Sequence, residues 1–504
     1  MKNRIIYLAL LLMACHGSTS VSQEKLTILH TNDIHGNYTL TTGKSPEDGL
    51  KSTFGGFESI QYYVEKIRNE ENANVLLLDA GDFMTGNPIC DIEYQGVKGG
   101  PMLQFLNAIG YDGMTLGNHE FDISVENARG LMGLAEFPVV NANVFTNDNA
   151  LFADKAYYIY EKNGMRVGVI GITVHDLGEY LSDKQRAKIH TKPALEIVEK
   201  IAAEIDDKTD LIVVLSHSGI GIDRDLAEQL SDRVDIIVGG HSHTRLYKPS
   251  VVNNKIIVQA GSRSQFLGRL DVSVADDKVE SYKGQLIFLD AKDAEMDSLL
   301  TSETNRYKDM ITEMYGKVIG ELKTMWVRSR RSESNIGNFI TDAMREKTDT
   351  DFAVVNSGGI RKGLTPGPIK AIDIKEILPF SNTLCVFEMT GEEVMKLVTN
   401  NARGAANRSF GILQVSGLAY KWHKELGGDV VLRDVMVNGQ PIDMEKTYKG
   451  TTVDYVLANA SRYLGIESID FENTYIPLTD VIIDAVREAG TVSSSVEGRI
   501  VKNE

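Results

Sequence analysis

Five short segments of this sequence can hold cations: Asp33-Ile34-His35, Gly81-Asp82, Gly117-Asn118-His119-Glu120-Phe121-Asp122, His217 and Gly240-His241-Ser242-His243. They offer carboxylate and amide oxygens and imidazole nitrogens. No cysteine is among them, so the set does not suit a thiolate site. Asp33, His35 and His243 can serve one ion, and Asn118, His217 and His241 a second. The two oxygens of Asp82 can bridge them. Two divalent cations about 3.5–4 Å apart activate a water and clamp both oxygens of an in-line displacement at phosphorus. In this scheme His119 gives a proton to the leaving oxygen or steadies charge on the phosphoryl group. Asp122, three residues on, accepts from the other ring nitrogen and fixes the tautomer. Any one of these segments alone is an ordinary turn. Five in this order, each after an aliphatic strand, point to a metal pair.

The strands that must position them read Leu26–Leu29, Val75–Leu78, Met114–Leu116, Val167–Ile172, Leu211–Leu215 and Ile236–Val238. Continuous aliphatic runs suit strands buried on both faces. Helical spacing over Phe57–Arg68, Met102–Ile109 and Ala194–Ile205 alternates with them, which gives a layered α/β domain over 23–290. The carboxyl ends of such strands line the ligand crevice. Residues 291–316 are rich in Asp, Glu, Lys and Met and read as a linking helix. A second α/β unit covers 317–504, with helices near Ile336–Lys347, Glu392–Asn400 and Val481–Glu488 and strands near Phe352–Val355 and Leu384–Met389. His30, inside the first strand, reads as a core residue, and His175 as structural. His16, His190 and His423 carry no motif.

Lys and Arg number 53 against 70 Asp and Glu, a formal charge of −17. A broad basic face for nucleic acid is not expected on so acidic a chain. An anionic substrate must be drawn by metals or a few arginines. Lys2 and Arg4 precede the aliphatic run Ile5–Ala14, too short to span a bilayer and suited to the core of a signal peptide over 1–22. Leu12-Met13-Ala14-Cys15 resembles a bacterial lipobox with Cys15 acylated, which would place an exported chain in the cell envelope, periplasmic or lipid-anchored. A simple cleaved signal is the alternative. Cys90 and Cys385 remain and read as unpaired thiols.

The order of the metal motifs resembles the calcineurin-like metallophosphoesterases. The strings Leu29-His30-Thr31-Asn32-Asp33-Ile34-His35-Gly36 and Gly117–Asp122 are similar to the secreted 5′-nucleotidase subfamily. So are Glu333-Ser334-Asn335-Ile336-Gly337-Asn338, Asn356-Ser357-Gly358-Gly359-Ile360-Arg361 and Leu378-Pro379-Phe380 in the second half. The resemblance implies a four-layer α/β/β/α metallophosphoesterase domain and a smaller α/β C-terminal 5′-nucleotidase domain. It implies two divalent metals (Zn, Mn or similar) and release of phosphate from nucleoside monophosphates. It assigns Arg330, Asn356 and Arg361 to phosphate or sugar and Phe380 to the base. Arg330 is chosen among Arg328, Arg330 and Arg331. The family's late Gly-Gly-Asp-Gly-aromatic loop is replaced here by Asn459-Ala460-Ser461-Arg462-Tyr463-Leu464-Gly465. Tyr463 offers a ring for the base, although an ungapped match puts Leu464 at that position. The departure leaves other readings open: a phosphatase or phosphodiesterase for a non-nucleotide ester, a cyclic nucleotide or a UDP-sugar, or an inactive nucleotide-binding protein.

Overall fold

The computed structural model describes residues 24–46, 48–70, 74–181, 183–275, 277–293, 298–380, 382–407, 411–425 and 427–503. The leader over 1–22 and Cys15 lie outside them.

The first half opens with β1 (Glu24–Thr31), α1 (Gly56–Glu70), β2 (Val75–Asp79), α2 (Gly100–Ile109), β3 (Gly113–Met114) and α3 (Val125–Leu134). It continues with β4 (Tyr157–Lys162), β5 (Met165–Thr173), α4 (Ala194–Ile205), β6 (Leu211–His217), α5 (Ile220–Gln229) and β7 (Ile236–Gly239). The strands β8 (Ser250–Val252), β9 (Lys255–Val258), β10 (Phe266–Ala275) and β11 (Lys278–Phe288) complete it. They form a five-stranded sheet, β11-β10-β1-β2-β3, and a six-stranded sheet, β8-β9-β7-β6-β5-β4. The strands that lead to the metal motifs are mutually parallel within each sheet.

The aliphatic runs are explained by their period of two. Ile28, Leu76 and Leu78 face Val167, Val169, Val213 and Leu215 in a core between the sheets. Their neighbours Leu29, Val75 and Leu77 face the opposite way, toward Phe57, Ile60, Val64 and Ile67 of α1. On the far side, Ile170, Ile212 and Val214 face Val198, Ile201 and Ile205 of α4. Alternate side chains of each strand thus enter different cores, which calls for apolar residues on both faces. The result is the four-layer α/β/β/α order.

The aliphatic run Met114–Leu116 is longer than the strand that it feeds. β3 stops at Met114, Thr115 N–H still reaches Asp79 O at 3.0 Å, and Leu116 and Gly117 lie against Gly81. A Cβ at Gly81 (φ +86°) would lie 2.5 Å from Gly117 N, and one at Gly117 would lie 2.6 Å from Asp82 N. Only glycines let these two loops touch.

Within the linking segment the described residues hold a 3-10 turn, Ala291–Asp293, and the helix α6 (Ser298–Tyr315). Asp290 bridges to Phe54, and its Oδ1 accepts Lys292 N–H at 3.0 Å, which ties this turn to the sheet.

The second half contains α7 (Asn335–Thr348), β12 (Phe352–Asn356), β13 (Thr383–Thr390), α8 (Gly391–Asn407), β14 (Leu413–Ser416), β15 (Thr447–Val453), β16 (Phe471–Pro477) and α9 (Leu478–Ala489). Its main sheet runs β14-β12-β15-β13-β16. Ser334 Oγ accepts Gly337 N–H at 3.2 Å and starts α7. Ile336, Ile340 and Met344 then bury against Phe352, Val354, Val394 and Leu397. Cys90 and Cys385 are buried and unpaired. No helix of the described residues is long and apolar enough to cross a membrane.

Candidate active site

Five parallel strands of the first half end on one crevice, and the polar segments after them meet there. Two of the imidazoles, His35 and His217, are aimed by a backbone contact to the outer nitrogen. His35 Nδ1 lies 2.9 Å from Thr85 O and 3.1 Å from Met84 O, so it donates to the backbone and Nε2 faces inward. His217 Nδ1 donates to Ala80 O at 2.6 Å, which leaves Nε2 3.0 Å from Asp82 Oδ2. Asp33 Oδ2 accepts Asn32 Nδ2–H at 2.6 Å and His241 N–H at 3.0 Å. Its other oxygen stands 3.2 Å from His243 Nε2, and His243 Nε2 stands 3.0 Å from His35 Nε2. His241 Nδ1 lies 2.9 Å from Asn118 Oδ1.

Three donor groups result. Asp33, His35 and His243 form one, and Asp82, His217 and His241 another. His35, Asp82 and His119 form a third, which overlaps both. Asp82 therefore stands where a shared ligand must stand. The arrangement fits divalent cations on two grounds. Asp33 Oδ1 and His217 Nε2 are fully buried and have no hydrogen-bond partner among the described residues, a costly state unless a ligand meets them. The donors are oxygens and imidazoles, the types that zinc and manganese accept. Electrostatics agree. Burial opposes a charge on His217, yet the Asp82 carboxylate 3.0 Å from Nε2 raises the pKa to about 10. A positive charge is wanted beside Asp82, and a cation supplies it.

The backbone is strained at the same positions. Asp33 (φ 51°), His35 (51°), Asp82 (60°), His241 (68°) and His243 (54°) all adopt the left-handed region. That conformation costs of order 1–3 kcal/mol for a residue with a Cβ and gathers at functional sites.

His119 Nδ1 lies 2.7 Å from Asp122 Oδ2, and the same oxygen accepts Thr85 Oγ1–H at 2.6 Å. Burial opposes protonation of His119, but Asp122 and Asp82 raise its pKa. Its Nε2 is left toward Asp82, 3.8 Å away. The ring also meets the second half, with centroids 5.6 Å from Phe380.

A cleft of about 1200 Å³ opens above these residues, walled by both halves. Arg330, Asn356, Arg361, Phe380 and Tyr463 all line it. Asn356 is buried with Oδ1 unpartnered. Arg361 stands 5.7 Å from the Phe380 ring centroid. Burial first, then Arg263 and Arg330, lower its pKa to about 10. Tyr463 is only 7% exposed and packs on Tyr455, centroids 5.9 Å apart. Leu464 is buried in the core and does not line the cleft, so the ungapped match is not the ring position.

Further residues join the site: Arg263, Lys362, Tyr455 and Tyr180 carry no motif read from sequence, whereas Arg328 belongs to the arginine set that includes Arg330, and Arg462 to the late loop string. Arg263 of the first half and Arg328 of the second add two guanidinium groups to the cleft. Lys362, Tyr455, Arg462 and Tyr180 line it too. Glu120 sits inside the Gly117–Asp122 string and does structural work there. Its Oε2 accepts Gly117 N–H at 2.6 Å and Asp82 N–H at 3.0 Å, and its Oε1 accepts Met84 N–H at 3.2 Å. Outside the cleft, His30 is buried against Gly268. His175 is exposed, and His190 stacks on Phe145.

Comparison with known proteins follows the same division. Residues 26–245 match the calcineurin-like phosphoesterase family, and 318–465 match the 5′-nucleotidase C-terminal domain. The protein 5NUC of Lutzomyia longipalpis is 29% identical over 558 residues, covering 98% of this chain and 96% of that protein. UshA of Escherichia coli is 27% identical over 511 residues, covering 90% and 88%. The crystal structure of a 5′-nucleotidase precursor from Thermus thermophilus superposes with a TM-score of 0.83 at 30% identity, covering 95% of this chain and 99% of that one.

Proposed function

We propose the reaction in detail from one premise: this chain belongs to the calcineurin-like phosphoesterases that carry a 5′-nucleotidase C-terminal domain. It is a metal-dependent hydrolase of nucleotide phosphate esters, and its reaction is release of phosphate from nucleoside monophosphates. The reading rests on one observation above others, the convergence of Asp33, His35, Asp82, Asn118, His217, His241 and His243 at the floor of a cleft whose opposite wall carries arginines and an aromatic ring.

Asp33, His35 and His243 would hold one divalent ion, and Asn118, His217 and His241 the other, with Asp82 shared. Bound there, the ions acidify a water and act as Lewis acids toward the phosphoryl oxygens. The chain's own residues do the rest. Arg330 and Arg361 receive phosphate oxygens, for which the guanidinium fork is suited. Asn356 Oδ1 is an acceptor, so it fits a sugar hydroxyl rather than a phosphate oxygen. Phe380 offers a face to the base. His119 donates from Nε2 to the leaving 5′ oxygen, while Asp122 holds Nδ1–H and keeps the ring turned inward. Tyr463 would reach the base only by its edge, because most of its ring is covered. That burial favours a second reading, a phosphatase that tolerates esters without a base.

The leader and Cys15 place the enzyme in the cell envelope in this reading, either free in the periplasm or tethered by lipid.

The test is phosphate release by metal-stripped protein with Mn²⁺ or Zn²⁺ added back. The panel is AMP, UMP, a cyclic nucleotide, a UDP-sugar coupled to an auxiliary phosphatase, and glucose 6-phosphate. Metal-dependent release highest with AMP and UMP is expected. Equal release from glucose 6-phosphate would transfer the site to the second reading. Nucleotide binding without release would make the chain a binding protein.

A further inference from the structure

Tyr180 stands outside the ligand set yet touches it. It ends the short 3-10 turn Leu177–Tyr180, in the segment after β5. Its hydroxyl lies 3.3 Å from His241 Nε2, and its ring meets the imidazole edge-on, at 89° with centroids 5.7 Å apart. The other nitrogen of His241 is the one beside Asn118 Oδ1. The inward donor of His241 is therefore Nδ1, and Nε2–H points outward to Tyr180. The Tyr180 hydroxyl oxygen carries lone pairs that accept this proton. A hydrogen bond to the outer nitrogen of a metal-binding histidine fixes tautomer and ring orientation together.

The segment that carries Tyr180 is fastened to the other half of the chain. Glu179 Oε2 pairs with Arg462 Nη1 at 2.9 Å. Arg186 Nη2 donates to Ala458 O at 3.0 Å. Arg462 lies in the short helix Ala460–Tyr463, within the stretch that stands where the family has its glycine-rich loop. A contact one residue from Tyr180 thus crosses the cleft.

We propose that Tyr180 is a positioning residue that holds His241 with Nδ1 toward the ion it shares with Asp82 and His217, and that the Glu179–Arg462 pair keeps Tyr180 in place. This rests on the metal reading above. It makes the grip on one ion depend on a residue of the C-terminal half.

The test uses the full chain and Zn²⁺ alone. Dissociation constants for both ions are measured by competition with a chromophoric chelator, and the unfolding temperature is taken on metal-stripped protein. Tyr180→Phe is expected to weaken one of the two ions about 10-fold, the lower end for lost outer partners of metal ligands, and to leave the other ion and the metal-stripped unfolding temperature unchanged. Glu179→Gln and Arg462→Gln should weaken the same ion by a smaller factor. The double variant Tyr180→Phe/Arg462→Gln should be no weaker than Tyr180→Phe alone, because both act through one hydroxyl. Wild-type affinity in Tyr180→Phe, or full additivity in the double variant, overturns the proposal alone. Wild-type protein that takes up no Zn²⁺ overturns the metal reading with it.

Discussion

Glu120 makes a prediction that the geometry sizes. Its carboxylate receives three buried N–H groups, two on Oε2 from Gly117 and Asp82 and one on Oε1 from Met84. The loop that carries Asp82 and the loop that carries Asn118 and His119 are joined through this one side chain. Glu120→Gln keeps the shape and one oxygen. With that oxygen toward Gly117 and Asp82, the amide NH₂ faces Met84 N–H, donor against donor. One buried donor left unpaired costs about 1–3 kcal/mol. For a unit of 150–250 residues each kcal/mol moves the midpoint by roughly 2–4 °C, so a drop of about 2–12 °C is expected by this arithmetic. Glu120→Ala strands all three donors and opens a cavity, so its loss must exceed that of Gln. Calorimetry on metal-loaded protein reads the first transition, and phosphate release reads the site. Activity should fall with stability, because Asp82 rides on the loop that slackens. Glu126→Gln, which removes an exposed pair with Lys188, is the control and should change neither. A Gln variant that melts with wild type, or an Ala variant no worse than Gln, would refute the reasoning.

Other outcomes follow from the same contacts. His119→Ala should lower kcat by about 10²–10⁴ with bound metal unchanged, as measured by elemental analysis, and Asp122→Asn should fall in the same direction by less. Phe380→Ala should raise KM for AMP about 5- to 150-fold, the equivalent of ~1–3 kcal/mol of stacking, and leave KM for a sugar phosphate alone. Asp235, far from the site, accepts Ile212 N–H at 2.9 Å, and burial raises its pKa to about 7. The fold thus favours the neutral acid. That stability is fully present below the unfolded pKa near 3.8 and is lost as pH rises through about 7. Asp235→Asn stays neutral and keeps an acceptor oxygen, so it should be more stable than wild type at pH 8, by on the order of 2–4 kcal/mol at most, with the gap closing toward pH 4. A gap that does not change with pH in urea unfolding would contradict this.

The four-layer order was legible because the inner stretches Val75–Leu78, Val167–Ile172, Leu211–Leu215 and Ile236–Val238 are apolar throughout and Leu26–Leu29 is broken only by Thr27, and strands covered on both faces demand such runs. The candidate ligands were legible because each follows directly on such a strand. What escaped reading was brought in by distance in sequence rather than by pattern. Tyr180 reaches His241 across 61 positions, and nothing in Leu177–Leu181 marks it. Arg263 lies in a loop after β9 and enters the cleft only because its backbone N–H docks on Asp33 O at 2.8 Å. Glu120 lay in plain view inside a motif, but a list of ligand types gives no reason to see a loop tie in it. β3 ends early because the close contact of Gly117 with Asp82 overrides the local run.

Anomalous diffraction from crystals grown with Zn²⁺ or Mn²⁺ tests the central claim most directly. Two peaks about 3.5–4 Å apart are predicted, with Asp82 between them, one beside Asp33, His35 and His243 and the other beside Asn118, His217 and His241. A single peak, or peaks away from Asp82, would contradict the account.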